Sequence, residues 1–132
     1  MKKKIEILAP AKDLIQGIAA INSGADAVYI GAPLYGARSN ATNSIEDVAE
    51  LVKYAHLFNA QVFVVINTIL YDNELESCRQ MIWKLYDIGV DALIIQDMAI
   101  MEMELPPIVL HASTQANNRD ADKIKFLADA GM

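Results

Sequence analysis

Gly24-Ala-Asp-Ala-Val-Tyr-Ile and Gly89-Val-Asp-Ala-Leu-Ile-Ile are nearly the same phrase, and each follows a stretch with helical apolar spacing. A glycine at that place supplies the left-handed residue that closes a helix's last turn. The apolar run behind it reads as a strand. The phrase is therefore a helix stop, a turn and a strand start, and a chain that repeats it is committed to alternating helices and strands. Such turns lie at the N-terminal ends of strands, the face that serves stability in parallel α/β folds, so the motif reads as scaffolding.

The rest of the chain keeps the rhythm. Strands are expected at Ile5–Ala9, Ala27–Gly31, Gln61–Ile66, Asp91–Ile95 and Ile108–His111. Helices are expected at Asp13–Ser23, Ile45–Phe58, Asn73–Ile88, Met98–Glu104 (short) and Arg119–Ala130. Ser44-x-x-Asp47 resembles a helix-start cap, and Asp72, Asp97 and Asn118 stand where N-caps are expected. The strands are continuous apolar runs without alternation, the mark of strands covered on both faces. Strict alternation with helices implies parallel pairing and right-handed crossovers.

The expected fold class is thus α/β, with five consecutive βα units, and two architectures fit. In the first, residues 1–132 form a single domain that is the N-terminal portion of a larger TIM-barrel-like domain, a partial (β/α)8 barrel. At about 26 residues per unit, eight units need roughly 210 residues, within the usual range for that barrel. Gly131 is placed like Gly24 and Gly89, so a sixth strand is due after it. The alternative is a flavodoxin-like five-stranded sheet. A phosphoacceptor of that kind needs acidic residues after its first strand, and a flavin-phosphate binder needs a Ser/Thr/Gly-rich loop there. This chain has Ala9-Pro10-Ala11, which serves neither.

Composition narrows the function classes. With 54% hydrophobic residues the chain is no disordered segment, and no apolar run approaches the roughly 18 residues of a membrane span. The N-terminal Met1-Lys-Lys-Lys is not followed by a signal-peptide apolar region, and Cys78 alone cannot form an internal disulfide; a reducing, cytoplasmic setting and no membrane partner are expected. A net charge of −6 argues against wrapping nucleic acid through the overall field, although a local basic patch is compatible with it.

In parallel α/β folds, functional groups gather at the C-terminal ends of strands. Read there, the candidate pocket residues are Arg38, Asn67, Gln96, Asp97, His111, Ser113 and Gln115. The fifth-strand segment is the most unusual, since six of the eight residues from His111 to Asn118 are polar. Two readings stand: a ligand-orienting cluster in which His111 moves a proton near neutral pH, or a solvated loop in which Ser113 or Asn118 caps the last helix and His111 is buried and satisfied. Arg38 is a candidate anion fork or a loop salt bridge. Asp97 fits a helix cap better than a catalytic acid. Asn67 with Thr68 forms a polar lip or an ordinary loop. His56 reads as structural, Cys78 as an inert thiol, and Met98, Met101 and Met103 as packing filler. No cysteine or histidine pair has metal-ligand spacing, no serine sits in a nucleophile elbow, and there is no Gly-rich phosphate loop.

Taken in order, Leu8-Ala-Pro-Ala11, Gly24-Ala-Asp-Ala-Val-Tyr-Ile-Gly31, Tyr54-Ala-His56, Asn67-Thr68, Gly89-Val-Asp-Ala-Leu-Ile-Ile-Gln-Asp97 and His111-Ala-Ser-Thr-Gln115 resemble the collagenase-like peptidase family U32. The match runs from the first strand to the last helix. Two departures stand out: Lys12 replaces a usual glycine, and the Arg38–Asn43 loop follows the family's Arg…Asn pattern only loosely. The resemblance implies a (β/α)8 barrel continuing past this chain. It also implies a parent that is either a peptidase or an enzyme of RNA hydroxylation on a tRNA wobble uridine or a ribosomal RNA cytidine. The partner would then be an RNA or a peptide substrate. An iron–sulfur cluster in the parent, held by downstream cysteines, is implied as well, with no cofactor or metal in this chain itself. A third, non-enzyme reading is an inactive half-barrel that forms a homodimer through its open sheet edges.

Overall fold

The computed structural model describes residues 5–36 and 43–132. Five strands, β1 (Leu8–Ala11), β2 (Ala27–Gly31), β3 (Gln61–Ile66), β4 (Ala92–Ile95) and β5 (Val109–Ala112), form one sheet in the order β1-β2-β3-β4-β5, every neighbour parallel. Between them run α1 (Leu14–Asn22), α2 (Ile45–Leu57) and α3 (Leu75–Asp87), and α4 (Ala121–Asp129) follows β5. Met98–Glu102 is a 3₁₀ segment, shorter than the helix expected there, because Met103 returns to an extended backbone. Sequential order excludes the flavodoxin-like alternative, whose order is 2-1-3-4-5. Five units in sequence are the arrangement of a partial barrel.

The helix stops are built alike. Gly24, Gly89 and Gly131 take φ of +97°, +89° and +109°, and Asn59 takes +56° at the end of α2. Behind each, the next N–H returns to the last turn: Ala25 to Ala20 O, Ala60 to Ala55 O, Val90 to Leu85 O and Met132 to Leu127 O, at 3.0–3.1 Å. These are Schellman closures, which satisfy carbonyls that the helix leaves unpaired.

The aspartates of the repeated phrase then fasten the turn to the sheet. Asp26 accepts from Ile7 N–H at 2.9 Å and returns its own N–H to Ile7 O at 2.9 Å. Asp91 does the same to Val62, at 2.8 and 3.0 Å. Its Oδ2 also lies 3.0 Å from His56 Nε2, which gives that histidine the structural role its position suggested.

Parallel register sorts the side chains. Val28, Ile30, Val62, Val64, Ile66, Leu93 and Ile95 face α1–α3 and form the main core with Val48, Leu51, Cys78, Ile82 and Leu85. The opposite, concave face carries a second cluster of Ala27, Phe63 and Ala92, flanked by Tyr29 and Ile94. Helices therefore cover one face, not both as the continuous apolar runs suggested. The concave face is sealed by its own side chains at the centre, while toward the margins Leu8 and Val109 are 44% and 56% exposed. In a barrel that face looks inward, so its residues are apolar without any helix over them.

Three other expectations need correction. The first strand begins at Leu8, because Ile7 spends its N–H and C=O on the Asp26 turn. Asp72 is no cap; the turn into α3 is closed by Glu74, whose carboxylate accepts from Tyr71 N–H at 2.8 Å. Asp120, not Asn118 or Ser113, caps α4, accepting from Asp122 N–H at 2.8 Å. Among the described residues no helix is long and apolar enough to cross a membrane.

Candidate functional site

The C-terminal ends of the strands are laced together by polar bonds that hydropathy does not register. Asn43 is buried and donates through Nδ2 to Lys12 O (3.1 Å) and Gly31 O (3.3 Å), tying the turn after β1 to the end of β2. Tyr35, with a left-handed φ of +65°, sets its hydroxyl 2.5 Å from Ser77 Oγ and accepts from Thr68 Oγ1 at 2.9 Å through its carbonyl. A non-glycine residue in that region is costly unless its surroundings hold it. Here α3 and the turn after β3 do so.

Asp97 uses both carboxylate oxygens on backbone: Oδ1 accepts from Ala99 N–H (2.9 Å) and Oδ2 from Leu70 N–H (2.8 Å). It is a cap and a strut between the turns after β3 and β4. Ser113 is buried and also a cap, its Oγ accepting from Gln115 N–H at 3.1 Å in the 3₁₀ turn Thr114–Ala116. Asn118 Nδ2 donates to Ser113 O at 2.9 Å. Lys123 Nζ donates to Ala116 O, holding α4 against that turn.

The bonds of Asp97, Ser113 and Lys123 frame a cleft of about 500 Å³ between the turns after β3, β4 and β5 and one side of α4. Three of the seven candidates line it: Gln96, Asp97 and Gln115. Lys123 and Phe126 line it too, and sequence inspection missed both because a helix face after the last strand carries no strand-end signal. Met98 belongs to the same wall, so it is not filler, whereas Met101 and Met103 do pack on the core.

The other candidates lie elsewhere. Asn67 is half-buried just past β3 and does not line the cleft. His111 stands on the concave face, exposed, its ring meeting Phe63 edge to face at 5.0 Å and 87°. Arg38 lies outside the described residues. The cleft therefore offers amides, an ammonium group, the backbone-bonded Asp97 carboxylate and apolar walls, while His111 presents an imidazole on the concave face of the sheet. Such a lining can hydrogen-bond polar groups and pack an apolar or ring surface.

Nucleophile and metal chemistry find less here. Burial within α3 pushes the Cys78 thiol up to about 11, aided by the negative charges of Asp97 and Glu74, and leaves it a poor nucleophile. Among the described residues no group of three His, Cys, Asp or Glu could hold a metal ion. These residues do not fit an iron–sulfur cluster.

The sequence profile described as Peptidase family U32 matches residues 12–132. The chain is 56% identical over 129 residues to the 23S rRNA 5-hydroxycytidine C2501 synthase of Escherichia coli, covering 98% of this chain and 20% of that protein. It is 37% identical over 129 residues to an uncharacterized protease of Methanocaldococcus jannaschii, with 96% and 31% covered. Against tRNA hydroxylation protein P1 of Bacillus subtilis it is 34% identical over 134 residues, with 98% and 32% covered. The chain thus spans between a fifth and a third of the length of these curated relatives. Among solved structures, a U32 peptidase superposes with TM-score 0.74 at 14% identity, covering 99% of this chain and 58% of that one. A dihydrodipicolinate synthase superposes with TM-score 0.58 at 19% identity, with 95% and 52% covered.

Proposed function

This chain belongs to peptidase family U32, and from that premise we propose that it is the opening part of a (β/α)8 barrel in a protein that hydroxylates a cytidine of ribosomal RNA. The observation that carries the reading is the 56% identity to the rRNA hydroxycytidine synthase, well above the 37% to the archaeal protease. The reading places the protein in the cytoplasm, with RNA as its partner.

The cleft supports it chemically. The Lys123 ammonium, one of whose N–H groups goes to Ala116 O, has others for a phosphate, Gln96 and Gln115 have donors and acceptors for ribose and base edges, and Phe126 with Ile69 forms an apolar wall for a flanking base. The segment's part in the reaction is to hold and orient RNA. Any iron–sulfur cluster in the parent would have to be held by residues outside this segment. The peptidase reading keeps the family's name, but two residues it would look to are committed elsewhere: Ser113 is a buried cap and Cys78 a core thiol.

The test is genetic and chemical. Ribosomal RNA from the source organism, digested to nucleosides and analysed by mass spectrometry, should contain 5-hydroxycytidine, and disruption of the gene encoding this chain should abolish it. An unchanged level after disruption would overturn the reading.

A further inference from the structure

His111 is an exposed imidazole on the concave face. Its register partner on β4 is Ile94, two residues beyond Ala92, which in turn pairs with Phe63. Phe63 stands on β3 and His111 on β5, two strands apart. They meet because the residue between them on that face, Ala92, ends at its methyl group and leaves room for two rings to touch above β4. Phe63 is 5% exposed, so one member of the pair is sealed into the sheet while the other faces solvent.

An edge-to-face contact uses at most one face of the imidazole, whichever ring supplies the edge. At least one face of His111 is therefore clear of Phe63. Its ring nitrogens also have no hydrogen-bond partner among the described residues, in contrast to His56, which is paired with Asp91. A planar, oriented, unpaired imidazole near the C-terminal end of a barrel strand has the properties of a ring-binding group. It stacks through its face and donates or accepts through its nitrogens.

We propose that His111, held in place by Phe63 over Ala92, is a binding residue for the pyrimidine ring of a single-stranded RNA, received on the concave face beside the cleft. Naming the ring a pyrimidine rests on the RNA-hydroxylation reading; the ring-binding geometry does not. The cleft then takes the adjoining phosphate and flanking base, so that one nucleotide turns inward toward the sheet while its neighbours stay at the rim. Enzymes that modify a base commonly extrude it from its stack in this way.

Nuclear magnetic resonance on the chain tests this directly, because it has only two histidines. The probe is a short oligocytidylate. The His111 Cε1–H signal should move upfield and saturate, while His56 stays in place as the internal control. The same oligomer with an abasic centre should leave His111 unmoved. His111→Ala should weaken binding about tenfold, the order expected for loss of one base–aromatic stack, and His111→Phe should restore most of it. Because the residue is exposed, the alanine variant should keep its His56 signal and fold. No shift at His111, an equal shift with the abasic oligomer, or a shift produced by a collagen-like peptide and not by RNA would each overturn the proposal. The reading above fails separately: if gene disruption removes 5-hydroxycytidine but His111→Ala binds as well as wild type, only the role of His111 is lost.

Discussion

Gly17 shows how little room the helices leave one another. A Cβ added there would lie 2.6 and 2.8 Å from the two δ-methyl carbons of Leu51, itself fully buried between α2 and the sheet. Glycine within a helix ordinarily costs roughly 0.5–1 kcal/mol relative to alanine. Gly17→Ala should nonetheless destabilise, by about 1–3 kcal/mol, because overpacking outweighs the helical gain. Urea unfolding checks this; a stabilised variant would mean that α1 can move away from α2. Asp91→Ala should cost about 1–3 kcal/mol by stripping the Val62 N–H of its acceptor, and His56→Ala less than 1, since His56 is partly exposed to solvent. The glycine stops were readable from spacing alone. The aspartate bonds were not, because an Asp two residues after a glycine looks the same whether it meets water or a neighbouring strand. His111 stayed open for a similar reason: strand-end polarity says that a group is near the rim, not whether it is buried.

Helix starts carry the clearest pH dependence. Ser44 and Asp47 close a reciprocal cap on α2: Asp47 N–H donates to Ser44 Oγ at 3.0 Å, and Ser44 N–H donates back to the Asp47 carboxylate at 2.9 Å. Bonds from the Ser44 backbone and hydroxyl hold the Asp47 carboxyl below its ordinary value. A lowered folded value means that its contribution is complete above the ordinary carboxylate range and is lost as pH falls through the folded value. Ser44→Ala should cost about 1 kcal/mol at neutral pH, and the deficit should shrink in acid. Cys78 on α3 works in the opposite sense. Its thiol is raised to about 11, so above the ordinary thiol value the unfolded chain gives up its proton first. Stability should fall as pH climbs from about 9 toward 11, and Cys78→Ala should lack that slope. The Ser44 cap was visible as a short motif. The caps of α3 and α4 were misplaced by two residues or more because several polar side chains stand together there and only backbone geometry selects among them.

Across the whole sheet, alternation of periods was enough to specify parallel βα units, and the sequential strand order then separated a barrel segment from a doubly wound sheet. What periodicity does not convey is which apolar face a helix covers, since strands that line a barrel are apolar on both sides. The two margins differ. β1 carries Pro10, which has no N–H to offer a new strand, while β5 carries Val109, 56% exposed, and continues toward an α4 whose Ile124 and Phe126 are also exposed. Self-association of the isolated chain, if driven by its edges, should run through β5. Light scattering across a dilution series should show dimers that Val109→Lys disperses, and a monomer at every concentration would remove the edge-paired homodimer from consideration. The paired aspartate fastenings at Ile7 and Val62 bear on how such a molecule is assembled. Each ties the turn before one strand to backbone at the start of the preceding strand, 19 residues back for Ile7 and 29 for Val62, and Asp91 also draws in His56 from α2. A seam of this kind closes only once two successive strands lie side by side, so neither joint can form within one isolated unit.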